Sequence, residues 1–448
     1  MGKSTPGDMK WWQLSLFGVG CTIGTGFFLG SSLAIKMTGP SILIGYFIAA
    51  IGTYFVFDAL SKMTAKEPLE GGFRSYAKKA YGRWAGFTSG WVYWCSEVLI
   101  MGSQMTALSI FSRFWFPNVP LWVFAAGYAL LGLVVILIGV GILNKLENIL
   151  AVLKVSAILM FIIIALLALF GVIDGERPIQ YPDSKRDFLP GGVLGLWSAV
   201  IFAFYAFGGI EILGLMATKL KNPKEAPKAG RVMLFSLMFI YALSIGLAVT
   251  MVPWNRFNAK ESPFVIALDA YNLSFVPHIF NGALIIAGFS TMVASLYGVT
   301  SVLVTLAEEG DAPESFAKNG KLKVPLPTLI LTMLGIASSV VSALVMPNRI
   351  YEYITTAAGL MLLYNWMFIL ASPRKILKTK ARDRMKYYLG MVLILIAVSG
   401  TLFHDSSRPG FFISLVFLGI IGSITLIMNA KWKKHEKRKR VLKPWPTA

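Results

Sequence analysis

The stretch Trp11–Ile35, WWQLSLFGVGCTIGTGFFLGSSLAI, is apolar enough to cross a bilayer, but its centre reads GVGCTIGTG, residues 18–26. Four glycines and two threonines are unexpected there, because glycine disfavours a helix interior by about 1 kcal/mol relative to alanine. Inside a membrane, unpaired backbone groups are tolerated only where they line a cavity or contact other protein. The run therefore predicts a transmembrane helix that is interrupted at mid-depth. Close helix packing through small residues, as in Gly-xxx-Gly motifs, is the alternative explanation.

The composition of the whole chain is that of an integral membrane protein. Of its 448 residues, 56% are hydrophobic and 14% are charged, whereas a soluble domain carries about 25% charged residues. We expect one transmembrane domain over residues 1–430 and a basic cytoplasmic tail at 431–448. Apolar runs near the ~20 residues that span a bilayer recur throughout, and they predict twelve spans: 11–36, 40–62, 84–112, 121–143, 148–173, 191–217, 232–254, 275–306, 325–346, 351–372, 387–403 and 410–430.

The net charge of +20 could indicate a nucleic-acid-binding protein, but the positions of the basic residues argue against one. With twelve spans, both termini and every second loop lie on one side of the membrane. These segments hold 32 of the 42 lysines and arginines, an asymmetry that follows the positive-inside rule. We therefore expect a multi-pass protein of the plasma membrane with both termini in the cytoplasm. Its partner is the lipid bilayer and not nucleic acid.

The residues that commonly hold metals or perform catalysis are few and scattered. The two cysteines, Cys21 and Cys95, fall within predicted spans, so a disulfide framework is not indicated. The three histidines are far apart in sequence, and no Cys/His spacing supports zinc. We expect no metal, no cofactor and no enzymatic activity.

The sixth predicted span contains a second interruption, because LWSAVIFAFYAFGGIEILGLMA (196–217) places Gly208 and Gly209 at mid-depth. Many secondary transporters contain two inverted repeats, each with a broken helix at the equivalent position. The predicted fold is thus an all-α membrane protein with about twelve transmembrane helices, an inverted 5+5 repeat and broken helices one and six. The repeats would cover about 11–173 and 191–372, with two further helices at 387–430.

Breaks of this kind suit a zwitterionic ligand. The amides and the half-helix N-terminus at a break favour an anion, while the freed carbonyls favour a cation. A zwitterion offers both charges.

At these residues the chain resembles the amino acid/polyamine/organocation transporter superfamily, and most closely its bacterial amino acid permeases. The likeness spans about residues 10–372 and depends on the order and spacing of several motifs. These are GVGCTIGTGFFLGSS (18–32), TGPSILIGY (38–46), EPLEGGFRSYAKKAYG (67–82), GWVYW (90–94), FAFYAFGGIEILG (202–214), KNPKEAPKA (221–229) and SLYGVTSVLVTLAEEGDAP (295–313).

The resemblance implies an alternating-access site between helices one, three, six, eight and ten. The substrate carboxylate would meet amides of the first break, the α-ammonium would meet carbonyls of both breaks, and two aromatic side chains of helix six would gate or floor the pocket. The implied substrate-binding residues are Thr22, Ile23, Gly24, Thr25, Gly26, Tyr205, Phe207 and Gly208. Departures from the family pattern include Gln104, where a glutamate is common.

Four ionisable side chains lie within predicted spans, and charges at that depth are expensive. Asp58 lies near the cytoplasmic end of its span, and an ion pair with Lys62 would account for a charged side chain at this position. Glu97 shares a helix face with Gln104. It could tune selectivity, titrate during transport or be a structural hydrogen-bonding group. Glu211 follows the second break, where burial favours its protonated form. We interpret it as a proton-sensing gate, and the alternative is a purely structural role.

The fourth ionisable group is Lys154, in ENILAVLKVSA (147–157). One interpretation is that its ammonium extends to the nearby membrane interface. The resemblance implies another, in which the ammonium takes the place of the sodium ion of sodium-coupled relatives and contacts carbonyls of helix one and hydroxyls of helix eight, such as Ser290. Proton coupling is accordingly predicted for Lys154, Glu211 and Glu97.

The leading hypothesis is a secondary active transporter that imports amino acids with protons. The small Ala206 and the apolar Met101 favour a neutral, small to medium substrate. An ion-independent amino acid exchanger is the alternative within transport. A channel lacks the required polar pore, and a membrane-embedded enzyme lacks a catalytic cluster.

Overall fold

The computed structural model describes residues 7–441 apart from 8, 70, 139, 174–181, 272, 274, 319–325 and 346–348. Helix accounts for 83% of the structure, and no β-strand forms among these residues. The prediction of an all-α protein is confirmed. Residues 442–448 of the predicted basic tail lie outside the described residues.

The first half of the chain begins with an interrupted helix. Its elements are α1 (Trp11–Thr22), α2 (Thr25–Phe28), α3 (Gly30–Thr38), α4 (Ile42–Lys66), α5 (Phe73–Tyr81), α6 (Arg83–Arg113), α7 (Leu121–Ile138) and α8 (Val140–Leu169).

The second half begins, after a short helix, with another interrupted helix. Its elements are α9 (Lys185–Phe188), α10 (Gly192–Tyr205), α11 (Ile210–Met216), α12 (Ala226–Met251), α13 (Pro263–Asp269), α14 (Val276–Glu308), α15 (Leu326–Val345), α16 (Ile350–Ala371), α17 (Pro373–Ile376), α18 (Ala381–Gly400) and α19 (Arg408–Val441).

Each of the twelve predicted spans coincides with a helix or an interrupted helix of the structure. Within the described part of the chain, nine helical segments are long and apolar enough to cross a membrane. The number of crossings and the division into repeats remain predictions. The helix end that differs most from the predicted span is the C-terminal end of α19. This helix continues to Val441 and includes the first part of the predicted tail.

The interrupted helices occupy the centre of the bundle. Helix α1 packs against α8, α11 and α12, while α10 packs against α3, α4 and α16. Helices at the perimeter expose apolar side chains instead, as Leu130 of α7, Leu334 of α15 and Val416 of α19 illustrate, each more than 60% exposed. Apolar surface of this extent is what lipid covers in a membrane protein.

Candidate functional site

The first break lies between α1 and α2. Helix α1 ends at Thr22, and the next two residues are extended, Ile23 with φ −71° and ψ 106° and Gly24 with φ −155° and ψ −160°. Helix α2 begins again at Thr25, and its first hydrogen bonds run from the amides of Phe27 and Phe28 to the Gly24 carbonyl, so the amides of Thr25 and Gly26 have no acceptor within the helix. The interruption predicted from the glycine-rich run is therefore present in the structure.

The second break lies between Tyr205, the last residue of α10, and Ile210, the first of α11. Gly209 has φ +105°, a conformation that only glycine adopts without strain. Its N–H donates to Oε1 of Glu211 at 3.1 Å. The Tyr241 hydroxyl, on α12, donates to the carbonyl of Ala206 at 3.0 Å. This hydrogen bond holds the second break against α12.

The two breaks meet at the centre of the bundle. A Cβ atom at Gly209 would lie 2.9 Å from the carbonyl oxygen of Cys21, and one at Gly26 would lie 2.9 Å from the Tyr205 ring. Both distances are too short for a side chain. The glycines thus permit the close approach of two unwound segments. Both explanations of the glycine-rich run, an interrupted helix and close packing through small residues, therefore apply.

A small cavity of about 30 Å³ lies between the breaks and is closed by α6 and α14. A space of this size holds on the order of two water molecules, so an amino acid fits only after the surrounding helices separate. The lining residues are Cys21, Thr22, Gly24, Thr25, Gly26, Glu97, Ile100, Gln104, Tyr205, Gly208, Gly209, Ile212, Thr291 and Ser295.

Three buried polar atoms of this lining have no hydrogen-bond partner among the described residues: Oγ1 of Thr25, Oε2 of Glu97 and Oε1 of Gln104. Leaving such an atom unpaired costs about 1–3 kcal/mol. A hydroxyl that donates and two oxygens that accept converge on one cavity. The arrangement is therefore suited to a polar ligand that carries both donors and acceptors.

A larger cavity of about 570 Å³ lies near the first break and reaches the surface at the exposed residues Lys36 and Lys260. Tyr351 lines it and also donates its hydroxyl to the carbonyl of Thr25 at 3.3 Å. This side chain therefore stands between the larger cavity and the smaller one. We call the larger cavity the vestibule.

The hydroxyl of Tyr205 is held by a chain of hydrogen bonds across the bundle. Oγ of Ser103 lies 3.0 Å from it, and the Thr355 hydroxyl donates to Ser103 at 3.1 Å. The chain of hydrogen bonds thus joins α10, α6 and α16 next to the cavity.

Most of the residues singled out in the sequence come together here. Six of the eight expected binding residues line the cavity, and so does Glu97. The two exceptions are Ile23 and Phe207. Ile23 is buried in the apolar core. Phe207 packs against Tyr46 and Tyr241, with ring centroids 6.4 and 5.2 Å apart, so the structure places it in an aromatic cluster and not at the cavity wall.

Ala206 and Met101, which suggested a small substrate, do not line the cavity either. The apolar side chains that do are Ile100 and Ile212, which the sequence reading missed. Thr291 and Ser295 were missed as well, although polar residues four apart on an apolar helix are a signal that could have identified them.

Lys154 is completely buried, and its Nζ atom donates to the carbonyl of Gly20 at 2.6 Å. Since α1 ends at Thr22, this carbonyl has no amide four residues further along the same helix. The ammonium thus points to the broken helix and does not extend to the membrane interface. It ties α8 to the last turn of α1.

Glu211 is also completely buried but lies behind the second break and outside the cavity lining. Its Oε1 accepts from Gly209 and its Oε2 accepts from Nε1 of Trp366 at 3.1 Å. The side chain thereby joins the start of α11 to α16. The ion pair expected for Asp58 is present, with Oδ2 2.7 Å from Nζ of Lys62.

An apolar helical bundle in which two interrupted helices meet at a polar cavity is the architecture of a secondary transporter of the membrane. The chain belongs to the amino acid permease family, whose family model matches residues 13–438. It is therefore a multi-pass membrane protein of a transporter family and not of an enzyme family.

Three relatives illustrate the similarity to known proteins. The uncharacterized transporter YcgH of Bacillus subtilis is 56% identical over 434 residues, which cover 96% of this chain and 97% of the relative. The uncharacterized amino acid permease YvbW of the same organism is 30% identical, covering 95% and 97%. The aromatic amino acid transport protein AroP of Escherichia coli K12 is 29% identical, covering 94% of each chain.

Proposed function

We propose that this protein is a secondary active transporter that imports neutral amino acids across the plasma membrane by proton symport, with both termini in the cytoplasm. The observation that carries the proposal is the set of three unpartnered polar atoms on the cavity between the breaks. An amino acid supplies a carboxylate for the donor and an ammonium for the acceptors, so a single ligand satisfies all three.

In the proposed binding mode, the carboxylate accepts hydrogen bonds from the amides of Thr25 and Gly26 and from the Thr25 hydroxyl. The ammonium donates to carbonyls of the breaks and to oxygens of Glu97 and Gln104. These interactions replace the missing partners of groups that are already desolvated, so binding avoids part of the usual desolvation cost.

The apolar part of the lining supports a neutral substrate side chain. Ile100, Ile212 and the Tyr205 ring face the cavity, and Glu97 is the single carboxyl group in the lining. The relative from Escherichia coli is named as an aromatic amino acid transporter. We therefore include aromatic amino acids among the neutral substrates to be tested.

Alternating access would proceed by separating the elements that close the cavity. On the vestibule side this is Tyr351, which contacts the Thr25 carbonyl. On the opposite side, the fully buried Arg74 of α5 donates from Nη2 to Glu309 at 2.7 Å and to Asp311 at 3.1 Å, just beyond the end of α14. We propose that these contacts open in turn.

Proton coupling is proposed for Lys154, with Glu211 and Glu97 as further titrating groups. A hydrogen bond from an ammonium is roughly twice as strong as one between neutral groups. Loss of the proton from Lys154 would therefore weaken its hold on the Gly20 carbonyl and loosen α1 beside the substrate site. This links the protonation state to the position of the broken helix.

Uptake into proteoliposomes tests the proposal. A panel of labelled small, aromatic, acidic and cationic amino acids is offered with an inward proton gradient, with a sodium gradient or with unlabelled amino acid inside. We expect uptake of neutral substrates that depends on the proton gradient alone. Uptake that requires internal amino acid and ignores the gradient would instead identify an exchanger. Protein-free liposomes are the control.

A further inference from the structure

A second cavity with converging polar groups lies far from the breaks, where α4 ends and α18 begins. Its volume is about 430 Å³. Three lysines line it, Lys62, Lys66 and Lys378, together with Thr379, Asp383 and Tyr387. We call this cavity the basic cleft. By the positive-inside rule it faces the cytoplasm.

The cleft carries excess positive charge. Nζ of Lys62 is shared between Asp58 at 2.7 Å and Asp383 at 2.9 Å. Lys66 uses one of its three N–H groups on the carbonyl of Ile376 at 2.6 Å, and Lys378 is exposed. The segment 374–386 that forms one wall contains seven lysines and arginines and a single acidic residue.

A buried phenol also lines the cleft. Tyr387 is 1% exposed, and its hydroxyl has no hydrogen-bond partner among the described residues. Asp383, in the first turn of α18, lines the cleft as well, and no side chain caps that helix at Lys380. A helix N-terminus presents free amides and a partial positive charge. The phenol and the uncapped helix start are independent observations, and both favour an anion that accepts hydrogen bonds.

The position of the cleft indicates where that anion comes from. Helix α18 lies at the perimeter and exposes Met385, Leu389 and Val392, each more than 40% exposed. Two cation–aromatic pairs flank the cleft, Arg374 over Tyr388 and Lys386 over the Tyr54 ring. Aromatic and basic side chains are enriched at the level of lipid headgroups. The cleft thus opens beside a surface that lipid covers.

We propose that the basic cleft binds the phosphate group of an anionic membrane phospholipid. Basic pockets between transmembrane helices on the cytoplasmic side bind such headgroups in other membrane proteins. The phosphate would accept from Lys66, Lys378 and the Tyr387 hydroxyl, while Asp383 remains neutralised by Lys62. Such a lipid would join the end of α4 to the start of α18.

Native mass spectrometry of the delipidated full-length protein, titrated with phosphatidylglycerol, tests this proposal. The test variant is Lys66→Gln with Lys378→Gln. The matched control is Lys221→Gln with Lys224→Gln, two exposed lysines on another loop of the same predicted side. A lysine near an anionic lipid surface contributes about fivefold in affinity, so the pair should weaken the tightest lipid by about 25-fold.

We expect the control to retain that lipid. Phosphatidylcholine, whose choline balances the charge of its phosphate, should bind every variant more weakly than the unmodified protein binds phosphatidylglycerol. Tyr387→Phe, which keeps the packed ring, should lower phosphatidylglycerol affinity without lowering the melting temperature in phosphatidylcholine. Equal phosphatidylglycerol affinity in the test and control variants would overturn the proposal. Displacement of the lipid by millimolar inorganic phosphate would overturn the lipid assignment in favour of a free phosphate.

Discussion

Replacing Lys154 by methionine is the sharpest test of the proposed coupling. The substitution keeps an unbranched side chain of similar length but removes the bond from Nζ to the Gly20 carbonyl, which is 2.6 Å long and fully buried. A hydrogen bond to a charged group contributes about 1.5–3 kcal/mol. The conformation in which α1 is held against α8 should therefore lose roughly 10- to 150-fold in its equilibrium population relative to an opened one.

The assay is proton-driven uptake into proteoliposomes, compared with substrate binding at equilibrium. We expect uptake to fall by at least about tenfold, because the group that links protonation to the broken helix is gone, while the protein still folds. Lys228→Met is the matched control, since that lysine also contacts α1, over the ring of Trp11, but is exposed. Full proton-driven uptake by Lys154→Met, or sodium-dependent uptake by the unmodified protein, would refute the mechanism.

Three other substitutions examine the site and its surroundings. Gly26→Val should abolish substrate binding in calorimetry while the protein remains folded, because even its Cβ would lie 2.9 Å from the Tyr205 ring; retained binding would reject the site. Glu211→Gln should flatten the pH dependence of uptake with little effect on binding, and an unchanged profile would make Glu211 a structural residue. Partial burial raises the pKa of Glu309, but hydrogen bonds from Arg74 and Lys78 outweigh this effect and hold the pKa below the ordinary value for a glutamate. The stability that Glu309 contributes should be complete above pH 4.5 and be lost as the pH falls through the lowered pKa, so the melting temperatures of the unmodified protein and Glu309→Gln should converge in acid; a constant difference would contradict this.

Several features could be predicted from the sequence because their cause is local. Glycines at mid-span indicated both breaks, since a glycine-rich run disfavours continuous helix wherever it occurs. The buried Lys154 was identifiable for a similar reason, because a lone cation in an apolar segment requires a partner. The ion pair between Asp58 and Lys62 followed from their four-residue spacing on one helix.

Other features depended on how the helices are rotated and packed against one another. Met101 and Ile100 are adjacent and both apolar, yet only Ile100 lines the cavity. Phe207 lies within the second break but turns to the cluster around Tyr241. Successive side chains on a helix differ in direction by about 100°. The periodicity of one helix does not show where the neighbouring helices lie, so it cannot show which side chain faces the cavity.

The chain's composition and spacing by themselves determined an all-α membrane bundle with two interrupted helices and a buried cation, because helix breaking, hydropathy and charge burial act over a few neighbouring residues. Only the tertiary structure decided which oxygen atoms are left without partners at the cavity, and that Trp366 satisfies Glu211 from 155 residues away. It alone brought Lys62 beside Asp383, at the edge of the basic cleft. The physical reason is that a hydrogen bond depends on the positions of two atoms, and those positions are set by the packing of segments that are distant in sequence.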